Sequence, residues 1–127
     1  MNKLDNLYRE ELLWVSQNMT NKKIMKSPTL KARQVNPLCG DEITLMIKTK
    51  EGEIKDVTFE GAGCLISQVS ASLLAKSLEG AKIRQAQKFS DKKLLSILKI
   101  DPTPARMKCA LLPLWTLRIA FENYGQR

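Results

Sequence analysis

Two alternating stretches joined by a tight turn limit what this chain can fold into. From Glu42 to Lys48, Ile43, Leu45 and Ile47 fall on one side of an extended chain, and Thr44, Met46 and Lys48 on the other. Successive side chains of a strand leave opposite faces, so a period of two marks a half-buried β-strand. Lys50-Glu51-Gly52-Glu53 supplies a turn, and Ile54 to Phe59 alternates again. The pair predicts a β-hairpin. Gly61-Ala62-Gly63 is expected to end the second strand, having wide backbone freedom. A helix should follow from about Cys64 to Glu79, stopped by Gly80. Its stretch Ser67-Gln68-Val69-Ser70-Ala71-Ser72 is rich in small residues, so something must pack closely against it.

Around this centre the remaining elements are shorter of signal. Leu4, Leu7, Tyr8, Leu12 and Val15 recur at spacings of three and four, which predicts a helix from Asn2 to about Gln17. Asn18 to Ser27 reads as a polar, basic loop, and Thr29 to Val35 as an edge strand after Pro28. Ala81 to Lys88 and Ser90 to Leu98 read as helical, with Ser90 as N-cap and Asp91 in the first turn. Asp101-Pro102-Thr103-Pro104 is a rigid break. The last helix is expected from Leu111 to about Asn123, starting just after Cys109 so that Pro113 lies in its first turn. The sum is an α+β fold over one domain, residues 1–127: a small antiparallel three-stranded sheet packed by helices.

Composition then narrows the function. Hydrophobic residues make up 43% and charged residues 27% of the chain, ordinary values for a folded domain. No stretch approaches the roughly 20 apolar residues of a membrane helix, and the N-terminus lacks an apolar signal core. A cytosolic protein without membrane contact is expected. There is no histidine, so Ser-His-Asp and Cys-His chemistry within this chain is excluded. Three cysteines are an odd number, which argues against a disulfide framework. The net charge of +8 gathers in Lys22, Lys23, Lys26, Lys31 and Arg33, and again in Lys82, Arg84, Lys88, Lys92, Lys93 and Lys99. These are either solvated surface lysines or a docking surface for an acidic protein. Without interleaved aromatic residues they are weak evidence for nucleic acid. A basic nucleic-acid-binding domain with a structural zinc is the alternative that rests on this charge alone.

All three cysteines fall at the ends of predicted elements. Cys39 lies in a Pro/Gly loop entering a strand, Cys64 at the glycine-rich strand-to-helix junction, and Cys109 just before the last helix. A thiol at a helix N-terminus meets free N–H groups and the positive end of the dipole, which lower its pKa. In Cys39-Gly40-Asp41 the glycine permits a tight turn, so thiolate and carboxylate can point to one side. Three thiolates and a carboxylate suit a tetrahedral zinc site and equally a small iron–sulfur cluster. There is no CxxC pair and the gaps are long, so spacing alone leaves scattered free cysteines open. Ala110-Leu111-Leu112 also allows Cys109 to be a buried structural thiol. Lys108, with Arg106 close by, could lower the Cys109 pKa or be simply a surface lysine.

Three motifs in order carry a family resemblance over nearly the whole chain. Asn36-Pro37-Leu38-Cys39-Gly40-Asp41 resembles the Asn-Pro-x-Cys-Gly-Asp motif of the SufU/IscU/NifU-type iron–sulfur scaffold proteins. Phe59-Glu60-Gly61-Ala62-Gly63-Cys64-Leu65-Ile66-Ser67 is similar to the second motif of that family, and Ser70-Ala71-Ser72 extends it. Pro104-Ala105-Arg106-Met107-Lys108-Cys109-Ala110 looks like the third motif in its SufU form, and Leu7-Tyr8-Arg9 is also similar.

The resemblance implies a small antiparallel sheet packed by helices. It implies that Cys39, Asp41, Cys64 and Cys109 converge on one exposed site holding zinc or a labile 2Fe–2S cluster. It further implies a pyridoxal-phosphate cysteine desulfurase as the sulfur donor, Cys39 as persulfide acceptor, Lys108 in support, and apo iron–sulfur proteins as recipients. Lys108 before the last cysteine resembles the SufU branch, whereas the short Cys64-to-Cys109 interval resembles the IscU branch. Asp101-Pro102-Thr103-Pro104 replaces the Leu-Pro-Pro-Val-Lys chaperone motif of IscU. Trp14 to Asn21 departs from the family pattern after the first helix, keeping only Asn18 and Asn21.

Overall fold

The alternating stretches form the two longer strands of one antiparallel sheet, ordered β1 (Leu30–Asn36), β2 (Asp41–Lys50), β3 (Glu53–Ala62). The computed structural model describes residues 10, 12–37, 40–99 and 104–125. Ile43, Leu45 and Ile47 are fully buried on one face of β2, as their period demands. The register pairs Leu30 with Ile47, Ala32 with Leu45 and Asn36 with Asp41. The core face of the sheet therefore ends in a polar pair. Glu51 and Gly52 both take positive φ, which gives the two-residue turn the twist that a hairpin needs.

β3 runs past the alternation that ends at Phe59 and stops at Ala62, within the Gly61-Ala62-Gly63 stretch expected to end it. Gly61 pairs with Ile43, and a Cβ there would lie 2.0 Å from the Glu42 carbonyl oxygen. Its missing side chain lets the strand continue against β2. Met46, on the face expected to be polar, is also buried, with the loop at Met25 lying against it. The Met25 N–H approaches its sulfur at 3.4 Å.

The helices cover the other face. Residues 12–17 are helical (α1), with Leu12 and Val15 on the core; Leu4, Leu7 and Tyr8 lie outside the described residues. α2 (Leu65–Leu78) packs on β3, and α5 (Pro104–Gly125) packs on β1, β2 and α2. The small residues of α2 meet two partners. Ser70 Oγ donates to the Ala110 carbonyl at 2.6 Å, and Ser72 Oγ donates to Asn21 Oδ1 at 2.9 Å. α3 is confined to Ile83–Gln87, because Ala81 and Lys82 are drawn into extended contacts with Ile54 and Glu53. Ser90 caps α4 (Asp91–Leu98), accepting the Lys93 N–H at 3.0 Å. Among the described residues no helix is long and apolar enough to cross a membrane.

The last helix departs from expectation. α5 begins at Pro104, a residue suited to a first helical position, and carries Pro113 in its interior. Cys109 therefore lies inside the helix and not before it. Proline has no N–H, so position 113 cannot supply the usual helical bond to the Cys109 carbonyl four residues earlier. The helix tolerates this because it is bound on three sides by the sheet and α2.

Candidate metal centre

The site is built at the end of the sheet where β1 turns into β2. Gly40 takes a φ of 72° and its N–H reaches back to the Asn36 carbonyl at 2.8 Å, closing the connection that contains Cys39. Cys39 itself lies outside the described residues. Asp41 opens β2 on the core-facing side and is only 1% exposed. A carboxylate this deep must find donors. Its Oδ1 accepts the Cys64 N–H at 2.8 Å, and its Oδ2 lies 3.6 Å from the Cys64 sulfur.

Cys64 is the N-cap of α2 and half-buried, so the junction reading holds for it. Gly63 makes the approach possible. A Cβ on Gly63 would lie 2.1 Å from Asp41 Oδ1, inside the space that the carboxylate fills.

Cys109 enters from α5. It is 3% exposed, and the Asn36 side-chain amide reaches its sulfur at 3.9 Å. The helix-dipole argument does not apply to it, because that influence fades within the first turn. Lys108 and Arg106 are exposed, whereas the Cys109 side chain is turned inward. Neighbouring residues on a helix point about 100° apart, so Lys108 belongs to the rim and not to the interior of the site.

Asp41, Cys64 and Cys109 offer one oxygen and two sulfurs that all lie within 4.8 Å of one another. A tetrahedral zinc with sulfur ligands at about 2.3 Å places ligand atoms roughly 3.5–4 Å apart. The three groups would need to close by about an ångström. Two cysteine sulfurs and a carboxylate oxygen, two of the three residues buried and all already converged, are a donor set that fits such an ion.

A family model for the NifU-like N-terminal domain matches residues 7–127. The chain belongs to that family. Its three motifs supply the first strand connection, the Gly63–Cys64 junction and the opening turns of α5. The iron–sulfur cluster assembly scaffold protein IscU of Thermotoga maritima is 33% identical, over 94% of this chain and 96% of that protein. The zinc-dependent sulfurtransferase SufU of Bacillus subtilis is 31% identical, over 86% and 85% of the respective chains. The crystal structure of a SUF-system protein, FiSufU of Fervidobacterium islandicum, superposes with a TM-score of 0.72 at 27% identity, covering 86% of this chain and 92% of that one. The α+β reading with three antiparallel strands agrees with this NifU-like fold. Sequence reasoning missed two contributors to the site, Asn36 and Gly63. Both stand inside the quoted motifs, so the signal was present but carried no assigned role.

Proposed function

We propose that this NifU-like domain serves iron–sulfur cluster assembly, as a scaffold that also accepts sulfur from a cysteine desulfurase. One observation carries the reading: Asp41, Cys64 and Cys109, far apart in sequence, present their ligand atoms within 4.8 Å of one another. Cys39, in the connection between Asn36 and Asp41, is the fourth ligand in this reading. The names of its relatives, a scaffold IscU and a zinc-dependent sulfurtransferase SufU, point the same way.

Bound at these four residues, zinc would keep the thiols deprotonated, and a 2Fe–2S cluster would be held as cargo. In sulfur transfer the Cys39 thiolate attacks the outer sulfur of the desulfurase persulfide. A new sulfur–sulfur bond forms on Cys39, the old one breaks, and the desulfurase cysteine leaves as thiolate. The Cys64 N–H donates to Asp41 Oδ1, a bond that does not depend on the thiol proton and ties these two residues together. Lys108, on the exposed side of α5, supplies positive charge at the rim for an incoming anionic sulfur. Apo iron–sulfur proteins are the recipients in this reading. The nucleic-acid alternative finds no support in the family or the relatives.

The test is native mass spectrometry of anaerobically purified protein, before and after incubation with a cysteine desulfurase and cysteine. Zinc or iron–sulfur mass is expected first, and persulfide mass afterwards. Cys39→Ser should lose the persulfide. Absence of any adduct under either condition would sink the proposal.

A further inference from the structure

We infer that Asn36 is a positioning residue of the site, its side-chain amide donating a hydrogen bond to the Cys109 sulfur once that sulfur is a metal-bound thiolate. The assignment rests on the thiolate site proposed above and adds a residue that is not itself a ligand.

Asn36 is the last residue of β1 and is 5% exposed, on the face shared with Leu30 and Ala32. That face is the apolar core, where a primary amide has no place unless it meets polar partners. Its Nδ2 lies 3.9 Å from Cys109 Sγ. A thiolate can only accept, so the amide nitrogen, not its oxygen, has to face it.

The rest of Asn36 is committed to the same site. Across the sheet it pairs in register with Asp41, and its carbonyl accepts the Gly40 N–H at 2.8 Å, closing the connection that carries Cys39. One residue thus reaches Cys109 by its side chain, bonds Gly40 by its carbonyl and stands opposite Asp41 in the sheet.

Charge explains why a donor is needed there. Three thiolates and one carboxylate around a divalent ion leave a net negative charge, and Cys109 is 3% exposed, out of reach of much water. An N–H directed at a buried sulfur anion replaces the hydration it has lost. Outer-shell donors of this kind typically change metal affinity by about 10–100-fold. The Asn36 amide also restrains the Cys109 side chain, which rides on a helix interrupted by Pro113.

The test compares wild type, Asn36→Ala, Asn36→Asp and Val35→Ala by cobalt(II) binding against a chelator, with the charge-transfer spectrum recorded. Val35 is exposed and serves as the neighbouring control. Asn36→Ala is expected to weaken cobalt binding about tenfold or more and to move the sulfur-to-metal bands to lower energy. A merely structural role would not shift those bands. Asn36→Asp keeps the shape but sets a carboxylate against the thiolate, so it should bind more weakly still. Wild-type protein loaded with NMR-active cadmium gives a reading that needs no variant: the Asn36 amide proton should couple to the metal through sulfur. Unchanged affinity and spectrum in both variants, or no such coupling in wild type, overturns the inference. Failure of wild type to bind either metal instead overturns the site itself.

Discussion

Gly63 and Asp41 share one volume: any Cβ on Gly63 would stand 2.1 Å from Asp41 Oδ1 and 2.8 Å from the Asp41 Cα. The second contact is with backbone and cannot be relieved by turning a side chain. Gly63 also takes a φ of 140°, which L-residues with side chains rarely adopt. Gly63→Ala should therefore lower stability by more than the roughly 1–3 kcal/mol of a forced backbone conformation, because the clash adds to it. It should also push the carboxylate off the Cys64 N–H. Urea unfolding of the metal-free protein and zinc competition with a chelator measure both effects. A variant with wild-type stability and affinity would show that the junction is slack.

Asp41 would play two parts in the proposed site, and a single substitution separates them. As a ligand it would be an oxygen in an otherwise sulfur-rich set, and so the weaker hold on a soft metal or cluster. As an acceptor it satisfies the N–H at the start of α2. Asp41→Ala is expected to lengthen the life of a reconstituted cluster while lowering metal-free stability by about 1–3 kcal/mol, the cost of leaving the Cys64 N–H without its acceptor. Anaerobic reconstitution followed by absorbance decay, beside a urea titration, reads the two. An equal or shorter cluster lifetime counts against a labile oxygen ligand.

How far the site could be read in advance depended on the range of the interactions involved. The hairpin from Glu42 to Phe59 was legible because its period of two is local. Cys64 at a helix start was legible because glycines and a helical pattern meet there. The last helix was not. Pro113 suggested a first turn, and only the support of α5 by the sheet and α2 allows a proline inside it and moves Cys109 into the helix. The small residues of α2 announced a close neighbour without naming it. The neighbours are Ala110 and Asn21, 40 and 51 residues away, and no local pattern encodes such distances. The burial of Met46 is hidden for the same reason, since the contact that the structure shows is with Met25, 21 residues away.

Asn21 and Ser72 make a closed pair worth testing as a unit. The Asn21 amide donates to the Ser72 carbonyl at 3.0 Å while the Ser72 hydroxyl donates back to Asn21 Oδ1 at 2.9 Å, both residues buried. The Asn21 carbonyl meanwhile accepts the Phe59 N–H at 3.0 Å, so the loop after α1 is tied to both α2 and β3. Ser72→Ala would leave Asn21 Oδ1 without its hydroxyl donor, at a cost of about 1–3 kcal/mol. Asn21→Ala should cost a similar amount, and the double variant less than the sum, with a coupling of about 0.5–3 kcal/mol. A double-mutant cycle by urea unfolding decides it. Strict additivity would mean that the two hydrogen bonds are not worth their geometry.

Pro113 sets stability against the site. It removes the N–H that would otherwise bond the Cys109 carbonyl, and an interior proline costs a helix about 3 kcal/mol relative to alanine. Pro113→Ala restores that donor but loses the packing of a buried ring, so the gain in metal-free stability should fall below that figure. A new N–H aimed at the Cys109 carbonyl should also shift the set of its side chain, whose sulfur now lies against Asn36 and within 4.8 Å of the Asp41 and Cys64 ligand atoms. Metal binding should weaken as stability rises. Thermal melting of the metal-free variant and chelator competition of the loaded one give the two values. Opposite signs would mark the proline as serving the cysteine at the expense of the helix, and a fall in both would mean that its ring is simply part of the core.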